Sequence, residues 1–261
     1  MDLKIKNKVY LISGGAKGIG AAISTILSEE GAIPVIIDPS VEEGKKLLNI
    51  VYGNEGKAAQ FPRRLTQVQD AKEAVAFALN EFGRIDGVVN NAGANDGIGL
   101  ENGTPEKFRA SVEKNLAHYY DLVHFALPQL KVNKGAIINI SSKTALTGQG
   151  NTSAYTAAKG AQLSLTREWA VELLPFGIRV NAVIPAEVMT PLYRNWIDTF
   201  DNPEQKLSEI QQRIPLEKRM TTAREIADTV VFLLSPRSSH TTGQLIFVDG
   251  GYTHLDRAIG T

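Results

Sequence analysis

The 261-residue chain contains no cysteine. That absence removes disulfides, thiolate chemistry and cysteine-ligated zinc together, and it suits a reducing compartment. Net charge is missing as well. The 28 Lys and Arg residues stand against 28 Asp and Glu, so no overall field is available to hold nucleic acid or an anionic membrane. No apolar stretch approaches the length of a membrane span. The opening Met1-Asp2-Leu3-Lys4-Ile5-Lys6 alternates charge with apolar residues where a signal peptide has a continuous apolar region. A cytoplasmic location is the expectation. Histidine is scarce, and His118, His124 and His240 have no acidic or nucleophilic neighbour at a useful spacing. They read as structural or exposed, and no metal site is expected.

What is present is a regular alternation. Short runs rich in Val and Ile (Val9 to Ile12, Ile33 to Ile37, Ala58 to Phe61, Ile85 to Val89, Ala136 to Ile140, Arg179 to Ile184 and Leu245 to Val248) are separated by longer segments of helical period. Strands of that kind are buried on both faces, which predicts an α/β fold with a doubly wound, seven-stranded parallel sheet and helices on both sides. Nothing resembles a linker, so one domain over 1–261 is expected, with an insertion beside a binding site at about 190–215, where Tyr193, Trp196 and Phe200 lie among polar residues. Thr66-Gln67-Val68-Gln69 and Thr222-Ala223-Arg224-Glu225 have capping-box spacing, and Thr104-Pro105 and Asn202-Pro203 place proline at a first helical position.

After the first strand comes Ser13-Gly14-Gly15-Ala16-Lys17-Gly18-Ile19-Gly20, followed by a helical stretch. Glycines at 14, 18 and 20 allow a sharp turn and let a pyrophosphate approach bare amides at a helix N-terminus, where the macrodipole favours negative charge. This is the context of a Rossmann-type dinucleotide site, although the spacing is G-x-x-x-G-x-G rather than G-x-G-x-x-G. Gly14, Lys17, Gly18, Ile19 and Gly20 are the expected cofactor contacts in the loop. Asp38 ends the second strand, where a carboxylate accepts hydrogen bonds from the adenosine ribose and repels a 2'-phosphate. NAD is therefore expected ahead of NADP, with Lys17 as the opposing cation.

Further on, Asn139-Ile140-Ser141-Ser142 precedes Tyr155 and Lys159, which stand at i and i+4 on one helical face. To take an alcohol proton near neutral pH, a phenol must be brought down by about three units, or about 4 kcal/mol. An ammonium a few ångströms away supplies a comparable energy at an effective dielectric of about 20. Ser142, at a strand end, is placed to hold a substrate oxygen.

Taken together, the glycine loop, Asn90-Asn91-Ala92-Gly93, Ser142, and Tyr155 with Lys159 resemble the short-chain dehydrogenase/reductase family, in order from Val9 to Gly251. The resemblance implies hydride transfer with Tyr155 as base, Lys159 lowering its pKa and holding the nicotinamide ribose, and Ser142 orienting the substrate. It also implies that Asn115 anchors a water leading protons from Lys159 to solvent, that Asn91 and Gly93 line the adenosine side, and that Thr190 binds the carboxamide. Two positions depart from the family pattern. Arg63-Arg64-Leu65 stands where an acidic residue commonly meets the adenine, and Pro185-Ala186-Glu187 replaces the usual Pro-Gly.

The loops around Ala94-Asn95-Asp96 and Lys143 to Asn151 are polar, which leans towards a hydroxyl-rich substrate held by Ser142, Tyr155, Gln149 and Glu187. The stretch Ile184 to Tyr193 and the tail Val248 to Arg257 resemble the L-fucose dehydrogenase group within the family, which implies oxidation of a pyranose C1 hydroxyl to a lactone. His254 and Asp256 in the tail are candidates to close over the sugar. Ala and Gly along Ala154 to Ala161, with the family's habit, point to a homotetramer. An NADPH-consuming 3-oxoacyl or other carbonyl reductase is the alternative, followed by a nucleotide sensor without turnover. On the strength of Asp38, a cofactor titration is expected to show tighter binding of NADH than of NADPH; the reverse order would remove the assignment.

Overall fold

The computed structural model describes residues 1–256, and Arg257 of the tail lies outside the described residues. The chain runs β1 (Val9–Ser13), α1 (Gly18–Glu29), β2 (Ile33–Ile37), α2 (Val41–Gly53), β3 (Ala59–Phe61), α3 (Val68–Phe82), β4 (Gly87–Asn90) and α4 (Pro105–Asn133). It continues through β5 (Ala136–Ile140), the single turn α5 (Thr144–Thr147), α6 (Ser153–Glu172), β6 (Arg179–Pro185), α7 (Pro191–Ile197), α8 (Pro203–Gln211), α9 (Ala223–Leu234) and β7 (Leu245–Val248).

The seven strands form one sheet in the order β3-β2-β1-β4-β5-β6-β7, and every pair is parallel. Alternate side chains explain the two layers. Val9 and Leu11 join a core with Tyr119, Leu122 and Trp169 on the α3, α4 and α6 side, while Tyr10 and Ile12 join Ile23, Leu27 and Val230 on the α1 and α9 side. Because the order reverses between β1 and β4, the loops that follow these two strands part, and a crevice opens at their carboxyl ends.

Most strand boundaries agree with the composition, and the fourth shows why one does not. Ile85 and Asp86, expected within the strand, precede the ladder, since the Asp86 carboxylate accepts from the Val9 amide at 2.9 Å where a neighbouring strand's carbonyl would otherwise be needed. The start of α3 is also displaced. Asp70, not Gln69, reaches back, and its carboxylate accepts from the Thr66 and Gln67 amides at 3.0 and 2.9 Å. A carboxylate near a helix N-terminus meets the dipole better than an amide. The Thr222–Glu225 box forms as expected, and Thr104 caps α4 by accepting from the Lys107 amide. Segment 190–215 carries α7 and α8 between β6 and α9.

A buried amide chain fastens the helix bearing Tyr155 to the sheet. Asn90 donates to Asn139 at 3.0 Å, Asn139 donates to the Thr166 hydroxyl at 2.9 Å, and that hydroxyl donates to the Gln162 carbonyl at 2.8 Å. The two asparagines face each other across β4 and β5 and are fully buried. Asn139→Ala would leave partners on both sides without their bonds, so a stability loss of about 2–3 kcal/mol is expected in urea denaturation. A loss under about 0.5 kcal/mol would show that the chain does not fasten the helix.

Candidate active site

The crevice at the switch point is a cleft of about 1070 Å³ running from Asp38, Lys17 and Arg64 at one end to Ser142, Tyr155 and Lys159 at the other. Gly14, Gly18, Ile19, Asn91, Gly93 and Thr190 also line it. The volume sits at the upper end of the roughly 300–1,000 Å³ usual for small-ligand pockets, enough for an extended molecule such as a dinucleotide. Gly20 does not line it but makes the loop possible, because a Cβ there would lie 2.1 Å from the Gly14 carbonyl oxygen.

The loop is held from behind by residues that sequence reasoning passed over or assigned elsewhere. The Ser13 hydroxyl accepts from the Asn91 and Ala92 amides at 3.0 and 3.1 Å, and the Asn91 side chain donates to the Ser13 and Gly14 carbonyls. Asn91 thus spends its amide on the loop itself. At the adenosine end, the buried Asp38 carboxylate accepts from the Ala16 and Ser40 amides at 3.2 and 2.8 Å, which fixes its direction and leaves lone pairs facing the cleft. Arg63 is committed to Asp70 and Glu73. Among the described residues no ion pair engages Arg64 or Lys17.

These groups fit a dinucleotide. Amides at the α1 terminus could hold a pyrophosphate, and Asp38 could accept from a ribose.

At the other end α6 places Tyr155 and Lys159 on one face, with the Lys159 Nζ 5.5 Å from the Tyr155 ring centroid. The ammonium donates to the Ile140 carbonyl at 2.7 Å and to the Tyr119 hydroxyl at 3.2 Å. Tyr119, on α4 one turn after Asn115, was missed, although that spacing was available as a signal. Burial is the main influence on both members of the pair. It pushes the Tyr155 phenol up to about 12, against a smaller downward pull from its hydrogen bond with Ser142, and pulls Lys159 down to about 7. The lowering of Tyr155 expected from Lys159 is not found within the protein's own groups: desolvation dominates, and the hydrogen bond with Ser142, not the ammonium, is what opposes it.

Ser142 has one remaining direction. Its oxygen accepts from the Thr144 amide at 3.3 Å and the Thr144 hydroxyl at 3.0 Å, so its own proton is free to point towards Tyr155 and the cleft.

Asn115 lies behind the cleft wall, fully buried. Its side chain accepts from the Ala94 amide at 2.8 Å and donates to the Ser111 carbonyl at 2.9 Å, and its backbone carbonyl accepts from Gln162. His118 lines the cleft rather than standing apart from it, held neutral by burial and by the Lys159 charge, with a pKa pulled down to about 4.

The two remaining candidates are not brought to the cleft wall. Gln149 is exposed on the loop before α6. Glu187 is largely buried, paired with Lys143 and accepting from the Tyr193 hydroxyl at 2.7 Å. Both of its oxygens thus have protein partners. Lys143 Nζ also lies 3.9 Å from the Tyr252 ring centroid. In the tail, His254 stacks edge-on against Phe247 at 4.2 Å. Among the described residues, no group of three His, Asp or Glu side chains is placed to hold a metal, and no helix is long and apolar enough to cross a membrane.

The depressed Lys159 value has a thermodynamic consequence. Between pH 7 and its ordinary 10.5 the unfolded chain binds a proton that the native state has lost, so stability rises with pH across that window. Denaturation at a series of pH values is expected to show this rise in the native protein and its loss in Lys159→Met. A rise of equal size in the variant would assign it to another group.

With this geometry in place, comparison with known proteins is specific. Residues 14–253 match the family model described as enoyl-(acyl carrier protein) reductase. The chain is 34% identical to the 3-oxoacyl-[acyl-carrier-protein] reductase FabG of Thermotoga maritima, over 95% of this chain and 99% of that one. It is 33% identical to L-fucose dehydrogenase of Rattus norvegicus, over 95% and 90%. Among solved structures it superposes on Cj0485 dehydrogenase with a TM-score of 0.95 and 47% identity, covering 100% of both chains. It superposes on the aldohexose dehydrogenase of Thermoplasma acidophilum with a TM-score of 0.87 and 30% identity, covering 98% of each. A parallel sheet whose glycine-bordered crevice ends at Ser142, Tyr155 and Lys159, matched along almost its whole length by oxidoreductases of this kind, belongs to the short-chain dehydrogenase/reductase family.

Proposed function

We propose that the protein oxidises the C1 hydroxyl of a pyranose, L-fucose or a close relative, to the lactone, with hydride passing to NAD. What carries this is one continuous cleft: Asp38, an acceptor for ribose hydroxyls, and Tyr155, a phenol beside a hydroxyl donor, lie on its wall. The sugar is supported by the similarity to L-fucose dehydrogenase and aldohexose dehydrogenase and by the polar loop that carries the exposed Gln149.

The chemistry divides among named groups. The loop of Gly14, Gly18, Ile19 and Gly20 holds the pyrophosphate at the α1 terminus, and Asp38 holds the adenosine ribose. Asn91 and Gly93 line the adenosine side, and Thr190 meets the carboxamide. An oxidised nicotinamide, when bound, supplies the hydride acceptor and a positive charge. Ser142 donates to the substrate oxygen, which orients the C1 hydroxyl towards Tyr155. Tyr155 removes its proton as the C1 hydride leaves. Lys159 holds the nicotinamide ribose and favours the phenolate, and Asn115 fixes the turn of α4 behind it, on the proton path to solvent.

NAD is preferred because the Asp38 carboxylate opposes a 2'-phosphate at close range. Lys17 and Arg64 on the same wall are what favour the competing assignment, an NADPH-consuming carbonyl reductase. The same proposal includes a homotetramer. Ala157 and Gly160 leave an open small-residue face on α6, where a Cβ on Gly160 would meet nothing within 4 Å. Light scattering on purified protein checks the assembly.

The decisive assay is spectrophotometric. NADH is expected to appear from NAD with L-fucose, and more slowly with pyranoses altered at C2 or C6. Consumption of NADPH with a 3-oxoacyl ketone, with no sugar oxidised, would overturn the proposal. Tyr155→Phe is expected to lower turnover by about 10²–10⁴-fold while NADH binding persists. Unchanged turnover would remove Tyr155 as the base.

A further inference from the structure

A second polar pocket lies at the opposite end of the sheet from the cleft, below the amino ends of its central strands. It has a volume of about 170 Å³, and Lys8, Tyr10, Asp86, Lys134 and Arg179 are among its lining residues. Nothing in the dehydrogenase chemistry uses it.

Its construction is unusual for a structural crevice. Tyr10 sits opposite Gly87 in the β1–β4 pair, and a Cβ on Gly87 would lie 2.8 Å from the Tyr10 ring, so the bare glycine is what lets the ring lie across β4. The side chain is 1% exposed and lines the pocket, yet among the described residues its hydroxyl has no hydrogen-bond partner. Burial and Asp86 both push its pKa up, so the phenol keeps its proton and remains a donor.

The charges do not balance. Asp86 is answered by Arg84, which donates from Nε at 2.8 Å and from its terminal nitrogen at 2.6 Å, and by the Val9 amide. Arg179 has no carboxylate partner among the described residues. Its guanidinium donates to the carbonyls of Leu233, Leu234 and Ser235 and to the Ser238 hydroxyl, all neutral oxygens at the end of α9. Burial pulls its pKa below the usual range, as expected of a cation taken from water without a counter-ion. Lys8 and Lys134 also lack ion-pair partners among the described residues, and the Lys134 stem crosses Gly177 towards the same opening.

Three cations and the Tyr10 hydroxyl thus converge on a space of about six waters at about 30 Å³ each. That is below the roughly 300–1,000 Å³ of an organic-ligand pocket. We infer that this pocket binds a small oxyanion of the class of inorganic phosphate. The anion completes the Tyr10 hydrogen bond, neutralises the excess charge and ties the starts of β1 and β6 to the end of α9.

The test uses the full-length protein with NADH saturating the cleft, so that phosphate cannot report from the pyrophosphate site. Sodium phosphate is compared with sodium chloride at equal pH and ionic strength, by thermal unfolding and by calorimetric titration. Phosphate at ten times its Kd is expected to raise Tm by about 3 °C beyond chloride. Lys8→Met with Lys134→Met should weaken phosphate binding at least tenfold and leave NADH affinity and turnover unchanged. Tyr10→Phe, which removes one donor and little volume, should weaken it several-fold and decides the matter should the double variant fail to fold. An equal response to chloride, phosphate affinity unchanged in the variants, or binding abolished by NADH would each overturn the inference.

Discussion

The ammonium of Lys159 is buried among neutral oxygens, and much of the site's architecture follows from that choice. A lone cation in the interior is costly unless hydrogen bonds replace its water. The Ile140 carbonyl and the Tyr119 hydroxyl do so from β5 and α4. Neither quenches the charge as a carboxylate would. The charge of the lysine, where it is protonated, is therefore left to act on whatever enters the cleft beside Tyr155, while burial weakens the charged form of both groups. In the protein's own groups, then, desolvation is the main influence on both side chains.

Holding that lysine demands exact placement of three elements, and the parallel sheet supplies it. β4 and β5 run side by side with Asn90 facing Asn139, and the amide chain continues through Thr166 into α6. The Ser141 hydroxyl donates to the Lys159 carbonyl at 2.8 Å, so the strand end that precedes Ser142 is bonded to the helix that carries Tyr155. Ser142, Tyr155 and Lys159 are in this sense one rigid constellation, since each is within a few bonds of a buried polar contact.

Much of this was legible in the chain. Strands buried on both faces advertise themselves by Val and Ile, which is why a seven-stranded parallel sheet could be expected, and a four-residue spacing suffices to put Tyr155 and Lys159 on one face. What escaped depends on partners distant in sequence. Glu187 had the chemistry of a sugar ligand, but Lys143, 44 residues earlier, occupies it. Ser13 and Thr144 are ordinary hydroxyls until the fold brings amides to them. The start of α3 moved because Asp70 competes better than Gln69 for the same amides, a contest between neighbours that a spacing rule does not rank. At the adenosine end, the opposing influences of Asp38 and of Lys17 and Arg64 were visible in composition, whereas the amides that aim Asp38 were not.

The ion pair between Lys143 and Glu187 joins the residue next to Ser142 to the Tyr193 helix, whose first residues line the crevice. Ser142, Tyr155 and Lys159 belong to the sheet and its central helices, whereas the Tyr193 helix is fastened near them at a polar knot. Substitutions in that helix can thus reshape the approach to the cleft without touching Ser142, Tyr155 or Lys159, provided the knot survives. Constancy at Lys143 and Glu187 would mark what such divergence has to preserve.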